Sequence, residues 1–523
     1  MAAPVDLTDI IEAESRQHDG TLKTNRCNTT STINDAAHQH QNENVTDSGN
    51  PTACNETGTI RAESKGHSSK TSYMHSGLSS SCGFYYLTPQ AAQAIRQYQY
   101  CGEDRSLLYQ HILSPLAQYL VDNFTPRTVA PNTITLLGLC LMVASYGVIW
   151  YYVPSLQIDR TFIATAPLAQ GATAAKGMLS FDDSVPRWVF LYNCIAMLIY
   201  QTLDNMDGKQ ARRTQSSSPL GLLFDHGCDA INSIVGSANW IVAMGLDLQL
   251  DALWAWTVVV GPYGLFYVAT WEEYYTGELI LPEINGPNEG LCGGALLSLT
   301  TYLYGPEFWH SSSWYDLVVS IVTYILPITE SADSVEHFRI RNADVVVLTA
   351  SIGICREAFS KFISVSRKYG GHAMLDMLPF FAVSFATLLI GWCDKTVWLE
   401  IPRTALHLVA CLMVEMVSEL MRAHISNQKF QPIKRWLSFP LLALTVNILA
   451  RAAIGLEKPL WTQGFLTIYT TAAWTYLGMK LIIIIDEICR VLNIWCFDIV
   501  TPRRSPTAES NELLLENQHP KID

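Results

Sequence analysis

The chain of 523 residues is apolar and sparsely charged: 49% of its residues are hydrophobic, 15% are charged, and the net charge is −13. Soluble domains carry about 25% charged residues, so the composition indicates a membrane protein. The acidic balance and the absence of a basic stripe in the sequence exclude nucleic acid as a partner.

Two segments precede the first long apolar run. Residues 1–80 are rich in Ser, Thr, Asn, His and Gln. Such a segment buries too little apolar surface to offset its ordering entropy, so we expect a disordered extension. In residues 81–128, apolar side chains such as Ile112 and Leu116 recur at roughly helical spacing, with Arg105 nearby. This pattern predicts an amphipathic helical region on the membrane surface.

Residues 129–496 consist of long apolar runs separated by short loops, and residues 497–523 form a polar tail. A membrane span needs about 20 apolar residues. The runs predict an all-α, polytopic membrane domain of about ten transmembrane helices. A further run at 314–328 is short and contains Asp316 and Pro327, so we assign it to the interface or the lumen. The predicted spans are residues 132–153, 186–204, 225–247, 252–271, 288–304, 344–364, 376–394, 402–424, 434–452 and 461–488.

Lys and Arg determine the predicted orientation, because they accumulate in short cytosolic loops. Ten spans put both termini on one side, together with the loops after spans two, six and eight. Both termini are therefore predicted to be cytosolic. The basic residues of these loops and of the tail are Lys209, Arg212, Arg213, Arg367, Lys368, Lys429, Lys434, Arg435, Arg503 and Arg504.

Four aspartates lie at the junction of the second and third apolar runs. Asp204 and Asp207 are three residues apart, and Asp225 and Asp229 are four apart. On helices each pair shares one face, and two facing helices would direct all four carboxylates to one point. Carboxylates at a membrane boundary are costly unless they are paired, hydrated or metal-bound. Because hard divalent cations take oxygen ligands, the spacing predicts a divalent-cation site.

The aspartates belong to a longer pattern, Asp-x2-Asp-Gly-x2-Ala-Arg-x8-Gly-x3-Asp-x3-Asp, which begins at Asp204. The pattern resembles the signature of the CDP-alcohol phosphotransferase family without a mismatch. Asp207-Gly-Lys-Gln-Ala-Arg-Arg-Thr, Phe224-Asp-His-Gly-Cys-Asp and Asn285-Gly-Pro-Asn-Glu-Gly are similar to the eukaryotic choline/ethanolamine phosphotransferases. The resemblance covers roughly residues 98–496.

The resemblance implies a set of ligands for metal. Asp204, Asp207 and Asp225 would bind the metal, and Asp229 would complete a two-ion site or act as a base. The ions would be Mg²⁺, with Mn²⁺ as the alternative. Six residues are expected to contact substrate: Asn132, Gly208, Lys209, Arg212, Gly221 and Glu289.

These residue types suit a nucleotide with a pyrophosphate. Arg212 offers a planar fork to phosphate. Gly208 lacks a side chain, so substrate can approach the backbone closely, and Gly221 would serve helix packing or substrate approach. By resemblance Asn132 would contact the nucleotide. Lys209 would either add a point charge for phosphate or be a solvated loop lysine.

Two residues are candidates for the general base that a lipid hydroxyl requires. They are Asp229 and His226, which directly follows the aspartate at 225. Relatives usually carry Gly-Glu-Leu-Phe-Asp-His, whereas this chain has Leu222 in place of the glutamate. A carboxylate that could orient the histidine is therefore missing, and Glu289 is the candidate to replace it.

The implied reaction transfers phosphoethanolamine or phosphocholine from CDP-ethanolamine or CDP-choline to diacylglycerol or alkyl-acylglycerol, and releases CMP. The expected setting is the endoplasmic reticulum or Golgi membrane, with a cytosolic active site and a homodimer as a further expectation. The segment Trp271-Glu-Glu-Tyr-Tyr275 could select the head group, but an aromatic belt with solvated acids is the favoured interpretation.

Two alternatives remain open. Another member of the family would combine CDP-diacylglycerol with a soluble alcohol. A divalent-cation transporter would instead place carboxylates near the bilayer midplane on broken helices. Outside the motif, Glu415 and Glu419 share one helix face inside the eighth predicted span. We assign them a structural or cavity-lining role, with Arg422 as a nearby partner.

Overall fold

The fold is mostly helical. The computed structural model describes residues 85–164, 177–181, 184–325, 340–393, 395–431, 438–455 and 462–503. The predicted extension at 1–80 and the tail beyond residue 503 lie outside the described residues. The helices are α1 (Pro89–Gln97), α2 (Ser114–Asn123), α3 (Pro131–Tyr152), α4 (Trp188–Thr214), α5 (Pro219–Ala243), α6 (Ala252–Thr276), α7 (Leu291–Tyr304), α8 (Glu307–His310), α9 (Ser313–Ile325), α10 (Asn342–Tyr369), α11 (Leu378–Cys393), α12 (Lys395–Glu400), α13 (Pro402–Ile425), α14 (Ser438–Ile454) and α15 (Thr462–Leu492). The strands are β1 (Gly102–Asp104), β2 (Arg160–Ala164), β3 (Gly177–Phe181) and β4 (Leu279–Leu281).

Each of the ten predicted spans overlaps a helix of the described residues. Among the described residues, five helices are long and apolar enough to cross a membrane, as in an integral membrane protein. The total of about ten spans stays a prediction, because several other helices are shorter or carry charged turns. Residues 314–325 of the short run form most of α9, residues 326–328 lie outside the described residues, and the position of the run at the interface or in the lumen stays a prediction. The five apolar helices are Pro131–Tyr152, Ala252–Thr276, Gly371–Cys393, Pro402–Ile425 and Gln463–Leu492.

Two small sheets add to the helical fold that the sequence predicts. Strand β1 pairs in parallel with β4, with Gly102 opposite Leu279. Strands β2 and β3 pair antiparallel, with Arg160 opposite Phe181. The β1 strand lies between α1 and α2, so the described part of the predicted amphipathic region at 81–128 contains two short helices with an extended segment between them. The boundaries of the predicted domains remain predictions.

Helix α5 is the centre around which the candidate site is built. It packs against α3, α6 and α13, while α4 packs against α3 and α7. The buried side chains Ala230, Ile234 and Ile241 follow one face of α5, at the spacing of a helix that buries an apolar stripe. The first turns of α5 are thereby fixed relative to the end of α4.

A connection of four residues joins α4 to α5. Gln215 ends α4 with a left-handed φ of 58°, and the Ser218 hydroxyl accepts a hydrogen bond from the Gly221 N–H at 3.3 Å. This cap and a proline at the first helical position start α5. Asp204 lies ten residues before the end of α4 and Asp229 ten residues after the start of α5. Both are about 15 Å of helix from the connection, so their side chains can meet.

Candidate active site

Three of the four predicted metal ligands come together. Asp204 from α4 and Asp225 and Asp229 from α5 each offer a carboxylate oxygen, and these oxygens lie within 4.8 Å of one another. One oxygen of Asp204 and one of Asp225 are buried without a hydrogen-bond partner. Like charges at this separation repel, and buried acceptors without donors are costly. Carboxylate oxygens without hydrogen-bond partners are suitable ligands for a hard divalent cation.

The fourth aspartate lies beside this group. The Thr135 hydroxyl of α3 donates a hydrogen bond to Asp207 Oδ2 at 2.5 Å, which orients this carboxylate from the neighbouring helix. Asp229 in turn accepts a hydrogen bond from the Tyr200 hydroxyl. The site is therefore assembled from three helices, with α3 and α4 orienting carboxylates of both pairs.

Gly208 directly follows Asp207 on α4, and Arg212 lies one helical turn further along the same helix. Arg212 is exposed, and a Cβ added at Gly208 would lie 3.6 Å from its Nη1 atom. On the opposite helices, Asn132 donates a hydrogen bond to the Cys496 carbonyl at 3.0 Å. Its Oδ1 would lie 3.6 Å from a Cβ at Gly221. The substrate-binding roles of these residues stay predictions.

Lys209 is buried, not solvated. Its ammonium donates a hydrogen bond to Ser114 Oγ at 2.8 Å and lies 5.8 Å from the centre of the Tyr109 ring. The interpretation as a solvated loop lysine is therefore wrong. The side chain joins α4 to helix α2.

Glu289 has a different set of contacts from those that its predicted role requires. Its Oε1 accepts hydrogen bonds from the Ser106 hydroxyl at 2.6 Å and from the Leu108 N–H at 3.2 Å. Its Oε2 accepts one from the Asn285 N–H at 2.9 Å. These contacts fasten the segment between β1 and α2 to the turn before α7. A different glutamate lies next to His226.

That glutamate is Glu273 of α6. Its Oε2 lies 3.3 Å from His226 Nε2, while His226 Nδ1 lies 3.9 Å from Asp225 Oδ2. The imidazole is thus held between a metal-site aspartate and a glutamate that is 1% exposed. The carboxylate that Leu222 fails to provide comes from the neighbouring helix.

The sequence interpretation of this segment was an aromatic belt with solvated acids. The structure corrects it, since α6 continues to Thr276 and buries both Trp271 and Glu273. A glutamate that directly follows a long apolar run was the signal available in the sequence. Its contact with α5 depends on how two helices pack, which no local pattern specifies.

Glu273 also contacts a second histidine. Its Oε1 lies 3.8 Å from His424 Nε2 on α13, and the Tyr98 hydroxyl lies 2.9 Å from the same nitrogen. A single buried carboxylate therefore stands between two imidazoles. Through His226, this chain of polar groups connects Tyr98, at the end of α1, to Asp225.

Comparisons with known proteins agree with the geometry. A profile of the CDP-alcohol phosphatidyltransferase family matches residues 128–322. The chain is 31% identical over 430 residues to choline/ethanolaminephosphotransferase 1 of Arabidopsis thaliana, which covers 79% of this chain and 98% of the relative. The chain therefore belongs to the CDP-alcohol phosphatidyltransferase family, and the resemblance of its aspartate pattern is confirmed.

Other relatives share most of their length with this chain. It is 27% identical over 441 residues to cholinephosphotransferase 1 of Saccharomyces cerevisiae, covering 80% of this chain and 99% of the relative. It is 28% identical over 432 residues to an uncharacterized CDP-alcohol phosphatidyltransferase class-I family protein 3 of Dictyostelium discoideum, covering 79% and 98%. The protein is a membrane-bound transferase of phospholipid synthesis.

Proposed function

We propose that the protein transfers phosphoethanolamine or phosphocholine from a CDP-alcohol to the hydroxyl of diacylglycerol or alkyl-acylglycerol and releases CMP. The observation that carries this proposal is the group of three carboxylates within 4.8 Å, contributed by α4 and α5, beside the exposed Arg212. The names of relatives that align with about four-fifths of the chain support the choice of donor and acceptor.

The proposed metal ligands are Asp204, Asp207, Asp225 and Asp229, which would hold two Mg²⁺ ions, with Mn²⁺ as the alternative. When bound, such ions neutralise phosphate charge and align the attacking and leaving oxygens. Arg212 would hold a phosphate through its planar fork. Asn132 would contact the nucleotide from α3, and Gly208 leaves room for the pyrophosphate.

His226 is the proposed general base. Glu273 next to Nε2 favours a proton on that nitrogen, which leaves the lone pair on Nδ1. The Nδ1 atom has no hydrogen-bond partner among the described residues and is on the side of Asp225. It would accept the proton of the lipid hydroxyl as the oxygen bonds to phosphorus and the bond to CMP breaks. Asp229 is the alternative base, although the Tyr200 hydroxyl already occupies one of its oxygens.

The membrane setting fits two substrates of different solubility. The lipid acceptor would arrive from the bilayer between the helices, and the nucleotide would arrive from water. We propose a cytosolic active site and cytosolic termini, in the endoplasmic reticulum or Golgi membrane. A homodimer also stays a prediction.

The two alternatives differ in how this structure bears on them. Use of CDP-diacylglycerol with a soluble alcohol would need the same metal ligands, so a donor assay must separate it. A cation transporter would place the carboxylates on broken helices. Here α4 and α5 run without interruption through the aspartates, which disfavours a permeation path.

CMP release tests the proposal directly. The purified protein would receive diacylglycerol, Mg²⁺ and either CDP-choline or CDP-ethanolamine, in parallel with an Asp225→Asn variant and with excess EDTA. We expect release from one or both donors, lost in the variant and after chelation. Release only from CDP-diacylglycerol with a soluble alcohol would establish the alternative reaction and contradict the proposal.

A further inference from the structure

A polar cavity separate from the candidate active site lies between α13, α15 and the segment before α1. Its volume is about 510 Å³, and its lining includes Glu415, Glu419, Arg422, Tyr476 and Lys480. Small-molecule sites typically have volumes of about 300–1,000 Å³. The cavity contains none of the motif aspartates, so its role is separate from the metal site.

The cavity is charged although its walls are helices long and apolar enough to cross a membrane. Lys480 Nζ lies 2.7 Å from a Glu419 oxygen and 3.4 Å from Glu415 Oε1. Arg422 Nη2 lies 2.8 Å from the other Glu419 oxygen. Ionisable side chains inside membrane spans are expensive, and they usually mark a functional site.

One carboxylate oxygen in this network has no donor. Glu415 Oε2 is buried and has no hydrogen-bond partner among the described residues, and the residue is only 4% exposed. Leaving a buried acceptor unpaired costs about 1–3 kcal/mol. The ammonium of Lys480 lies closer to Glu419 and contacts only the other oxygen of Glu415. Glu415 Oε2 therefore lacks a hydrogen-bond donor, and a primary ammonium would supply one.

The outer part of the cavity can accept an anion. Lys429 lies on its lining beyond the end of α13 and is exposed. It makes no ion pair with any residue in the described ranges. Together with Arg422 and Lys480 it gives the lining three cationic side chains against two glutamates. A phosphate near the outer end would balance this excess positive charge.

The cavity faces away from the active site. Glu415 and His424 are nine residues apart on α13. This separation is about two and a half turns at 3.6 residues per turn, so the two side chains lie on opposite faces of the helix. His424 contacts Glu273, whereas Glu415 contacts Lys480 of α15. A ligand in the cavity would therefore bind without touching the aspartates.

We infer that this cavity binds a primary ammonium joined by a short link to a phosphate, as in the head group of an ethanolamine phospholipid. The ammonium would donate to Glu415, and the phosphate would lie toward Arg422 and Lys429. Choline phospholipids lack the N–H group that Glu415 requires. The spanning helices on either side favour a lipid source over a soluble one. The inference does not depend on the proposed transfer reaction.

The test is a binding measurement with full-length protein in detergent and EDTA, so that the metal-dependent site does not contribute. The probes are dioctanoyl phosphatidylethanolamine, dioctanoyl phosphatidylcholine and free O-phosphoethanolamine, measured by calorimetry. We expect phosphatidylethanolamine to bind at least about tenfold tighter than phosphatidylcholine, equivalent to one lost charged hydrogen bond. Glu415→Gln should abolish this preference, and Glu415→Asp should retain part of it.

Two controls make the result specific. Glu283→Gln removes an exposed glutamate outside the cavity and should leave the preference intact. Lys429→Ala should weaken the binding of both phospholipids by a similar factor. Equal affinity for the two lipids in the natural protein would overturn the inference. So would an unchanged preference in a folded Glu415→Gln protein. Binding of free O-phosphoethanolamine as tight as that of the lipid would identify a soluble ligand of the same chemistry.

Discussion

The protein contains two groups of carboxylates within its helices, and they are stabilised in different ways. In the α4–α5 group, three aspartate oxygens lie within 4.8 Å of one another and two aspartates have an unpartnered oxygen. In the α13–α15 group, Glu419 has both Lys480 and Arg422 as partners. The spacing of the acids along the helix is similar in both groups, whereas the supply of cations is not.

The difference explains which group needs an ion from solution. The α13–α15 group carries its own counter-charge in Lys480 and Arg422, and only one oxygen of Glu415 has no hydrogen-bond donor among the described residues. The α4–α5 group has Arg212 at its exposed edge, but no lysine or arginine in the described residues forms an ion pair with its aspartates. Two acids on one helix face therefore predict a metal site only when the cationic side chains of neighbouring helices are also known.

The largest expected effect is the loss of activity in Asp225→Asn. A bound ion contributes about 4 kcal/mol to transition-state stabilisation, so we expect kcat to fall about a thousandfold. The measurement is CMP release at saturating donor. In metal-free protein the same variant should unfold at an equal or higher temperature, because one of three mutually repelling carboxylates is neutralised.

Asp316→Asn is the matched control for this prediction. It changes the same residue type at an exposed position of α9 and should leave both the rate and the unfolding temperature unchanged. Retention of a tenth or more of the natural rate in Asp225→Asn would contradict the assignment of this aspartate as a metal ligand.

The opposite behaviour is expected at Lys480. Lys480→Met leaves Glu415 without its cation, and removal of one partner from a buried pair typically costs about 3 kcal/mol. The unfolding temperature in detergent should therefore drop, while the rate per folded molecule stays near the natural value. An unfolding temperature equal to that of the natural protein would show that the ion pairs around Glu415 contribute little to stability.

A smaller effect is expected at the glutamate that contacts the motif histidine. Side chains that orient a residue at a metal site typically contribute about 10–100-fold, so Glu273→Gln should lower kcat by that factor. The KM for the CDP-alcohol should not change, because Glu273 contacts His226 and forms no ion pair, among the described residues, with Arg212, the proposed phosphate contact. Glu272→Gln is the matched control for the effect on kcat. Glu272 is next to Glu273 in the chain, but its carboxylate pairs with Lys361 at 2.6 Å and not with His226.

Rescue distinguishes a positioning role from a structural one. Leu222 precedes His226 by one helical turn, so a glutamate at that position shares its face of α5. Adding Leu222→Glu to the Glu273→Gln variant should restore at least half of the lost activity on a logarithmic scale. If the double variant is no faster than Glu273→Gln alone, the carboxylate does not act through the histidine.

The sequence predicted those features that depend on local pattern. Apolar runs identified the helices, and the i,i+3 and i,i+4 spacing brought together the three aspartates. The pairing of Gly102 with Leu279 was not predicted, because strands of three residues have no recognisable period and lie far apart in the chain. Glu273 was missed for the same reason: its distance from His226 is set by the packing of α6 on α5. The absent glutamate at Leu222 indicated that a carboxylate was needed, but not which helix supplies it.

The smallest effect is expected at Lys209, where the sequence left two roles open. Its hydrogen bond to Ser114 should contribute about 1 kcal/mol to stability, so Lys209→Met should lower the unfolding temperature slightly. The KM for the CDP-alcohol should remain within about twofold of the natural value, because a 1 kcal/mol loss in the folded state is shared by free and bound protein. Arg212→Ala provides the comparison, since its exposed guanidinium is the proposed phosphate contact and its loss should raise that KM. Initial rates at varied donor concentration measure both variants. A rise in KM for Lys209→Met as large as that for Arg212→Ala would assign Lys209 to the phosphate as well, which would require its ammonium to leave Ser114 when the donor binds.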